Sequence, residues 1–113
     1  NVVVIQDHIN LIWHQRSCYL MLGIPFNIAS YATLLLLLAH ESGLVPGILQ
    51  GTFADCHIYE NHIDGAKEQV LRDPRDLPTV DLGRFPCIYD WSSQHVAIDH
   101  YNPHPKINFP VAV

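Results

Sequence analysis

The hydrophobic pattern at the start of the chain predicts two strands. Residues 2–5 are Val and Ile, residues 6–8 are polar, and Ile9, Leu11 and Trp13 then alternate with their neighbours. Two runs of β-branched and aromatic residues around a short polar break are typical of a β-hairpin. The alternation in the second run predicts a strand that is mostly buried.

A long apolar helix is predicted next, from Phe26 to about Glu41, after a loop marked by Gly23 and Pro25. Since apolar residues cover nearly all of its circumference, we expect it to be buried in a core or an interface. Gly43 is expected to end it in the left-handed conformation.

The remaining pattern predicts a strand, a second helix and three shorter strands. In chain order they are residues 47–59, 60–72, 78–82, 87–91 and 95–101. Helices and strands without a regular alternation predict the α+β class.

Composition and charge restrict the function. The 113 residues are 49% hydrophobic and 15% charged, with a net charge of −5 and no basic run, which disfavours nucleic-acid binding. The apolar run of residues 28–39 is shorter than the roughly 20 residues of a membrane span, so no membrane partner is expected. The odd count of 3 cysteines, with no CxxC pair, predicts free thiols in a reducing compartment, and hence a cytoplasmic protein. Because the chain starts with Asn1, we expect it to be a piece of a longer protein.

Polar residues just before and at the start of the predicted helix are candidates for ligand binding. Arg16 and Ser17 offer a guanidinium fork beside a hydroxyl, which suits phosphate or carboxylate; the common alternative for such an arginine is a surface salt bridge. Asn27 offers an amide donor and acceptor, as a uracil edge or a peptide requires. Its alternative role is helix capping.

His57 and Tyr59 alternate on an extended segment, so both side chains are expected on one side, where they suit a sugar hydroxyl. The alternative is a half-buried strand edge. No spacing among the 8 histidines fits a metal site. Taken together, the polar residues fit a pyrimidine nucleotide.

Four stretches, "QRSC", "LGIPFNIASYA", "DCHIYENH" and "YNPHP…PVAV", resemble thymidylate synthase in order and spacing. The resemblance covers nearly the whole chain, and it identifies residues 1–113 as the C-terminal portion of a single domain. It implies a homodimeric α+β enzyme in which a mixed sheet packs with a long buried helix. The implied reaction is reductive methylation of dUMP to dTMP, with 5,10-methylenetetrahydrofolate as co-substrate and no metal.

The resemblance also implies roles for individual residues. Arg16 and Ser17 would hold the dUMP phosphate, with Arg16 also close to the nucleophile. Asn27 would read the uracil edge. The full dUMP set would be Gln15, Arg16, Ser17, Asn27, His57 and Tyr59. Leu22, Gly23, Phe26 and Ala112 would border the reduced folate, and Ala112 with Val113 would close over the ligands.

The chain departs from the family in three respects. The nucleophilic cysteine, expected upstream in a Pro-Cys motif, is not matched by Cys18, Cys56 or Cys87. Tyr19 stands where the family has an Asp that pairs with the pterin, and Ala54 replaces a Gly, where a Cβ is expected to strain the backbone or crowd the ligand. We therefore expect the isolated chain to be inactive. The alternatives are a pyrimidine nucleotide hydroxymethylase, or an inert nucleotide-binding or dimerising module.

Overall fold

The computed structural model describes residues 1–111. These residues form five strands and two α-helices, with three short 3-10 turns. In chain order the main elements are β1 (Val2–Ile5), β2 (His8–Tyr19), α1 (Gly23–Ser42), β3 (Val45–His57), α2 (Ile63–Val70), β4 (Thr79–Asp81) and β5 (Ala97–Asp99). The α+β class is confirmed.

The larger sheet has the order β1-β2-β3 and is mixed. Strands β1 and β2 pair antiparallel, with Val2 opposite Leu11 and Ile5 opposite His8, so the predicted hairpin is confirmed. Strand β3 pairs parallel with β2, and α1 forms the crossover between them. Because the two parallel strands run in the same direction, their carboxyl ends lie side by side.

The register of β2 against β3 shifts between Ile9 and Leu11. The Asn10 side chain occupies this irregularity: its Oδ1 accepts from the Ile48 backbone N–H at 2.7 Å, and its Nδ2 donates to the Val3 carbonyl at 3.1 Å. A Cβ on Gly47 would lie 2.5 Å from that Oδ1, so a larger residue there would displace the Asn10 amide from these hydrogen bonds.

Helix α1 covers one face of this sheet. The core joins Ile9 and Leu11 of β2 to Leu35 and Ala39 of α1. The helix ends at Gly43 with φ of 66°, as predicted from the glycine.

The predicted start of the helix was wrong, and its burial on all sides is not confirmed. Helix α1 begins at Gly23, so the predicted loop is its first turn, since proline is well tolerated there. The helix is also not buried all round: four of its residues are buried, whereas Phe26 is 71% and Leu34 38% exposed. One helix face packs on the sheet. The segment that carries Phe85 and Ile88 contacts the last turns of the helix through His40 and Glu41.

By length and composition alone, α1 would pass for a membrane span. It has 20 residues and a mean hydropathy of 1.4. The argument that residues 28–39 are too short for a membrane span therefore does not apply to the full length of α1. Its packing on β2 through Leu35 and Ala39 makes it part of the folded domain.

The second helix is shorter than predicted, because residues 60–62 form a 3-10 turn ahead of Ile63–Val70. Strands β4 and β5 form a separate two-stranded antiparallel sheet within the predicted ranges. The strand predicted at residues 87–91 was wrong: Ile88–Asp90 is a 3-10 turn. Its Ile88 backbone N–H donates to Glu41 at 2.8 Å, which fixes this turn to the end of α1.

Candidate functional site

The carboxyl ends of β2 and β3 bring together residues that are far apart in sequence. Ser17 lies opposite Asp55, and Tyr19 lies opposite His57. The ring of Tyr19 is 5.2 Å from that of His57 and 4.1 Å from that of Tyr59, and the rings of His57 and Tyr59 are 5.3 Å apart. The prediction that His57 and Tyr59 share one side is therefore confirmed, and Tyr19 joins them.

Arg16 and Ser17 are exposed at the same strand end. The surface salt bridge that was the alternative role for Arg16 does not form: the three ion pairs within residues 1–111 involve other residues. A guanidinium without an internal carboxylate partner, beside an exposed hydroxyl, leaves its donors directed to solvent or to an anionic ligand.

Gln15 stabilises the strand end. Its Nε2 donates to the Ser17 carbonyl at 3.0 Å, and its Oε1 accepts from the Trp13 indole at 3.5 Å. The Trp13 ring stacks on Tyr31 of α1 with centroids 4.9 Å apart. Gln15 thereby ties the backbone beside Arg16 to the contact between the sheet and α1.

The first turns of α1 contribute the third part of the site. A Cβ placed on Gly23 would lie 3.0 Å from the Tyr19 Cβ and 3.9 Å from the Asn27 Nδ2, so Tyr19 and Asn27 both lie beside Gly23. Asn27 is not a helix cap, because the cap position is Leu22 and no side chain caps that end. Of the predicted folate-side residues, Leu22 and Gly23 are half-buried and Phe26 is exposed.

Sequence reasoning missed His62. Its side chain is 1% exposed, and its Nε2 lies 2.6 Å from the Pro110 carbonyl. The imidazole ring also lies 5.8 Å from Tyr59 and 5.2 Å from Phe109. The motif "DCHIYENH" contains this histidine, but neither spacing nor hydropathy indicates that it would bind the C-terminal segment.

The C-terminal segment has further anchors. Arg75 donates to the Asn102 and Pro103 carbonyls at 3.1 and 2.9 Å, and the His104 Nε2 lies 2.9 Å from the Asp73 carbonyl. The predicted role of Ala112 and Val113 in closing over the ligands lies outside the described residues.

The strain expected at Ala54 was wrong. Among the described residues, Gln6 and His100 are the non-glycine residues with positive φ, and Ala54 is a regular part of β3. Because its φ is not in the left-handed region, alanine meets no conformational penalty there.

The three cysteines are free thiols in different surroundings: Cys18 is buried, Cys56 exposed and Cys87 intermediate. Burial raises the pKa of the Cys18 thiol, and the neighbouring Cys56 and Asp55 raise it further. Cys87 donates to the Asp90 carboxylate at 3.1 Å, away from the strand ends. Among the described residues, no group of three or more His, Cys, Asp or Glu could hold a metal ion.

The fold and the site define an α+β domain with a polar cluster where two parallel strands end beside a helix start. The sequence profile of the family described as thymidylate synthase matches residues 1–113, and the chain belongs to this family.

Two viral relatives illustrate the likeness. The chain is 44% identical over 101 residues to thymidylate synthase of Herpesvirus ateles, covering 88% of this chain and 35% of that protein. It is 46% identical over 101 residues to thymidylate synthase of Saimiriine herpesvirus 2 (strain 11), covering 88% of this chain and 34% of that protein. The chain thus spans about a third of the length of these curated relatives.

Proposed function

We propose that this chain forms the dUMP-binding side of a thymidylate synthase, and that the full-length protein converts dUMP to dTMP with 5,10-methylenetetrahydrofolate. Arg16 and Ser17 hold the phosphate, Asn27 reads the uracil edge, and His57 with Tyr59 binds the sugar hydroxyl. The nucleophile is a cysteine N-terminal to residue 1. The assembly is a homodimer, an assignment that rests on the family resemblance. We assign it to the cytoplasm because its free cysteines suit a reducing compartment.

One observation carries the proposal. Ser17 and Tyr19 lie directly opposite Asp55 and His57 in the strand pairing. The residues that we propose for the phosphate and for the sugar are therefore on adjacent strand ends. Asn27 then approaches from α1, beside Gly23. The candidate phosphate, sugar and base residues thus lie on β2, at the end of β3 and in the first turns of α1, and these three sets match the three parts of a nucleotide.

The phosphate role of Arg16 is testable with a pair of ligands. In the full-length protein, Arg16→Ala should weaken dUMP binding by roughly tenfold to a hundredfold, because a hydrogen bond to a charged group contributes about 1.5–3 kcal/mol. Binding of 2′-deoxyuridine, which lacks the phosphate, should be unchanged. Isothermal titration calorimetry with both ligands measures the difference.

Arg84→Ala is the matched control. Arg84 is also an exposed arginine, but it lies in the loop between β4 and β5 and not on β2 or β3. It should leave both affinities unchanged. Equal loss of dUMP and deoxyuridine binding in Arg16→Ala would contradict the phosphate role.

Product analysis tests the reaction itself. Incubation of the full-length protein with dUMP and methylenetetrahydrofolate should yield dTMP, with release of the C5 hydrogen of uracil. A 5-hydroxymethyl product would instead identify a pyrimidine hydroxymethylase, and absence of turnover with retained dUMP binding would identify an inert nucleotide-binding module. Residues 1–113 alone should show no release.

Tyr19 is the residue to vary on the folate side. Its ring lies beside those of His57 and Tyr59, at 5.2 and 4.1 Å, and the family has at this position a carboxylate that pairs with the pterin. A phenol cannot supply a charge-assisted contact, so Tyr19→Asp should raise the affinity for the reduced folate. Tyr19→Phe, which keeps the ring, should not raise it.

A further inference from the structure

Cys18 and Cys56 are directly opposite each other in the parallel pairing of β2 and β3. Neighbouring strands lie about 4.7–4.9 Å apart, which falls within the Cα separation of about 4.4–6.8 Å that disulfides require. The pairing therefore allows a disulfide between the two cysteines after a small local movement of the strands.

The two thiols differ in their access to solvent. Cys56 is exposed, whereas Cys18 is 0% exposed and its Sγ donates to the Gln15 carbonyl at 3.4 Å. A soluble oxidant therefore reaches Cys56 first, and Cys18 is the thiol that reacts second. An exposed thiol with a second thiol beside it has the geometry in which a mixed disulfide can resolve to an intrachain bond.

We propose that Cys18 and Cys56 are a modification site at which a low-molecular-weight disulfide forms an intrachain bond between β2 and β3. The Cys56 thiolate attacks one sulfur of the oxidant, forms a mixed disulfide and expels one thiolate. The Cys18 thiol then loses its proton, attacks the Cys56 sulfur and expels the second thiolate. Two protein thiols are oxidised, the oxidant is reduced to two thiols, and the protons pass to the expelled thiolates.

Bond formation requires a local movement of the strands. Cβ atoms in a disulfide are about 3.8 Å apart, whereas Cβ atoms of residues paired across two strands are about 4.5–5.5 Å apart, so the two Cβ atoms must approach by about 1 Å. Cys18 lies between Ser17 and Tyr19, and Cys56 lies between Asp55 and His57. The movement therefore acts on the backbone that positions the candidate nucleotide site.

A consequence for ligand binding follows, and it rests on the proposed function. Displacements of about 1 Å at a positioned site can cost about a hundredfold in rate. We expect the oxidised protein to bind dUMP about tenfold more weakly than the reduced protein, and dithiothreitol to restore the affinity.

The test treats the full-length protein with oxidised glutathione and maps its peptides by mass spectrometry without reduction. The expected product is a single linked peptide pair containing Cys18 and Cys56, lighter by two hydrogens and lost on reduction. A stable glutathione adduct on Cys56 of the unaltered protein would overturn the proposal, as would a link from Cys56 to any other cysteine.

Variants identify the order of reaction. Cys18→Ala should trap the glutathione adduct on Cys56, and Cys56→Ser should leave Cys18 unmodified. Cys87→Ser is the matched control and should form the same bond as the unaltered protein. If Cys18→Ala does not fold, because it changes a buried residue, the peptide map of the unaltered protein still decides the proposal.

The failure of this proposal is separable from failure of the proposed function. Affinity for dUMP is measured first on the reduced protein. If the reduced protein binds no dUMP, the proposed function fails, and the peptide map still tests the disulfide. If the reduced protein binds dUMP and the linked peptide does not form, only the modification site is refuted.

Discussion

Removal of the buried His62 imidazole should release the C-terminal segment from the end of β3. In the structure, His62 contacts the segment through the Pro110 carbonyl, at 2.6 Å from Nε2, and through the Phe109 ring, at 5.2 Å. It also contacts Tyr59 at 5.8 Å, so one side chain joins the segment to the candidate sugar-binding residue. Because a carbonyl only accepts, Nε2 must carry the proton.

The magnitude of the His62→Ala effect has two parts. Loss of a hydrogen bond costs about 0.5–1.5 kcal/mol. We expect the low end of this range here, because Pro110 is exposed and water can replace the lost donor. Loss of aromatic contacts costs about 0.5–1.5 kcal/mol for each pair, and Tyr59 and Phe109 supply two. The free energy of unfolding should therefore fall by about 2–3 kcal/mol, measured by urea denaturation of the full-length protein.

Two further variants test the assignment. His14→Ala is the matched control, since His14 is exposed on β2, and it should change stability by less than about 0.5 kcal/mol. His62→Gln keeps an amide donor for Pro110 and should recover about 1 kcal/mol of the loss. If His62→Ala and His14→Ala lowered stability equally, the contact with Pro110 and Phe109 would not stabilise the fold.

Three further predictions concern the core, the site and the pH response. Leu35→Ala should lower the free energy of unfolding by about 2–5 kcal/mol in urea titrations, whereas Leu34→Ala, at a position 38% exposed, should cost far less; equal losses would refute the assigned core. Gly23→Ala should weaken dUMP binding in calorimetry, because its new Cβ would lie 3.0 Å from the Tyr19 Cβ, and unchanged affinity would show that this approach does not position the site. Since the pKa of Cys18 is raised above its ordinary value of 9.0, the folded state keeps the proton that the unfolded state loses, so stability should fall as pH rises above about 9. Cys18→Ala should remove the part of this stability loss that Cys18 causes, as measured by urea titrations across pH 8–11. An unchanged dependence of stability on pH would contradict the role of Cys18.

The sequence predicted the local elements well where the pattern was periodic. Alternation of Ile9, Leu11 and Trp13 identified β2, and those positions are indeed buried. The parallel pairing of β2 with β3 was not derivable from this pattern, because alternation reports which face is buried and not which strand lies alongside. Only the resemblance indicated a mixed sheet.

The start of α1 shows why element boundaries are harder to predict. Gly23 and Pro25 are typical of a loop, yet Pro25 can occupy a first helical turn, where its missing N–H has no intrahelical partner to lose. Burial all round was not confirmed, for a related reason. An apolar run such as residues 34–38 indicates what a helix can bury, whereas actual burial depends on which surfaces lie against it, and Phe26 and Leu34 remain exposed in the structure.

That earlier start also decides the role of Asn27. If the helix began at Phe26, Asn27 would lie in the first turn, where its amide would be expected to bind free backbone N–H groups. With the start at Gly23, Asn27 is one full turn further along, and residues four apart lie on the same helix face. Gly23 faces Tyr19, and Asn27 lies on the same side of α1. A Cβ on Gly23 would accordingly lie 3.0 Å from the Tyr19 Cβ and 3.9 Å from the Asn27 Nδ2. The shift of three residues in the helix start thus frees the amide from capping and directs it toward the strand ends that carry Tyr19 and His57.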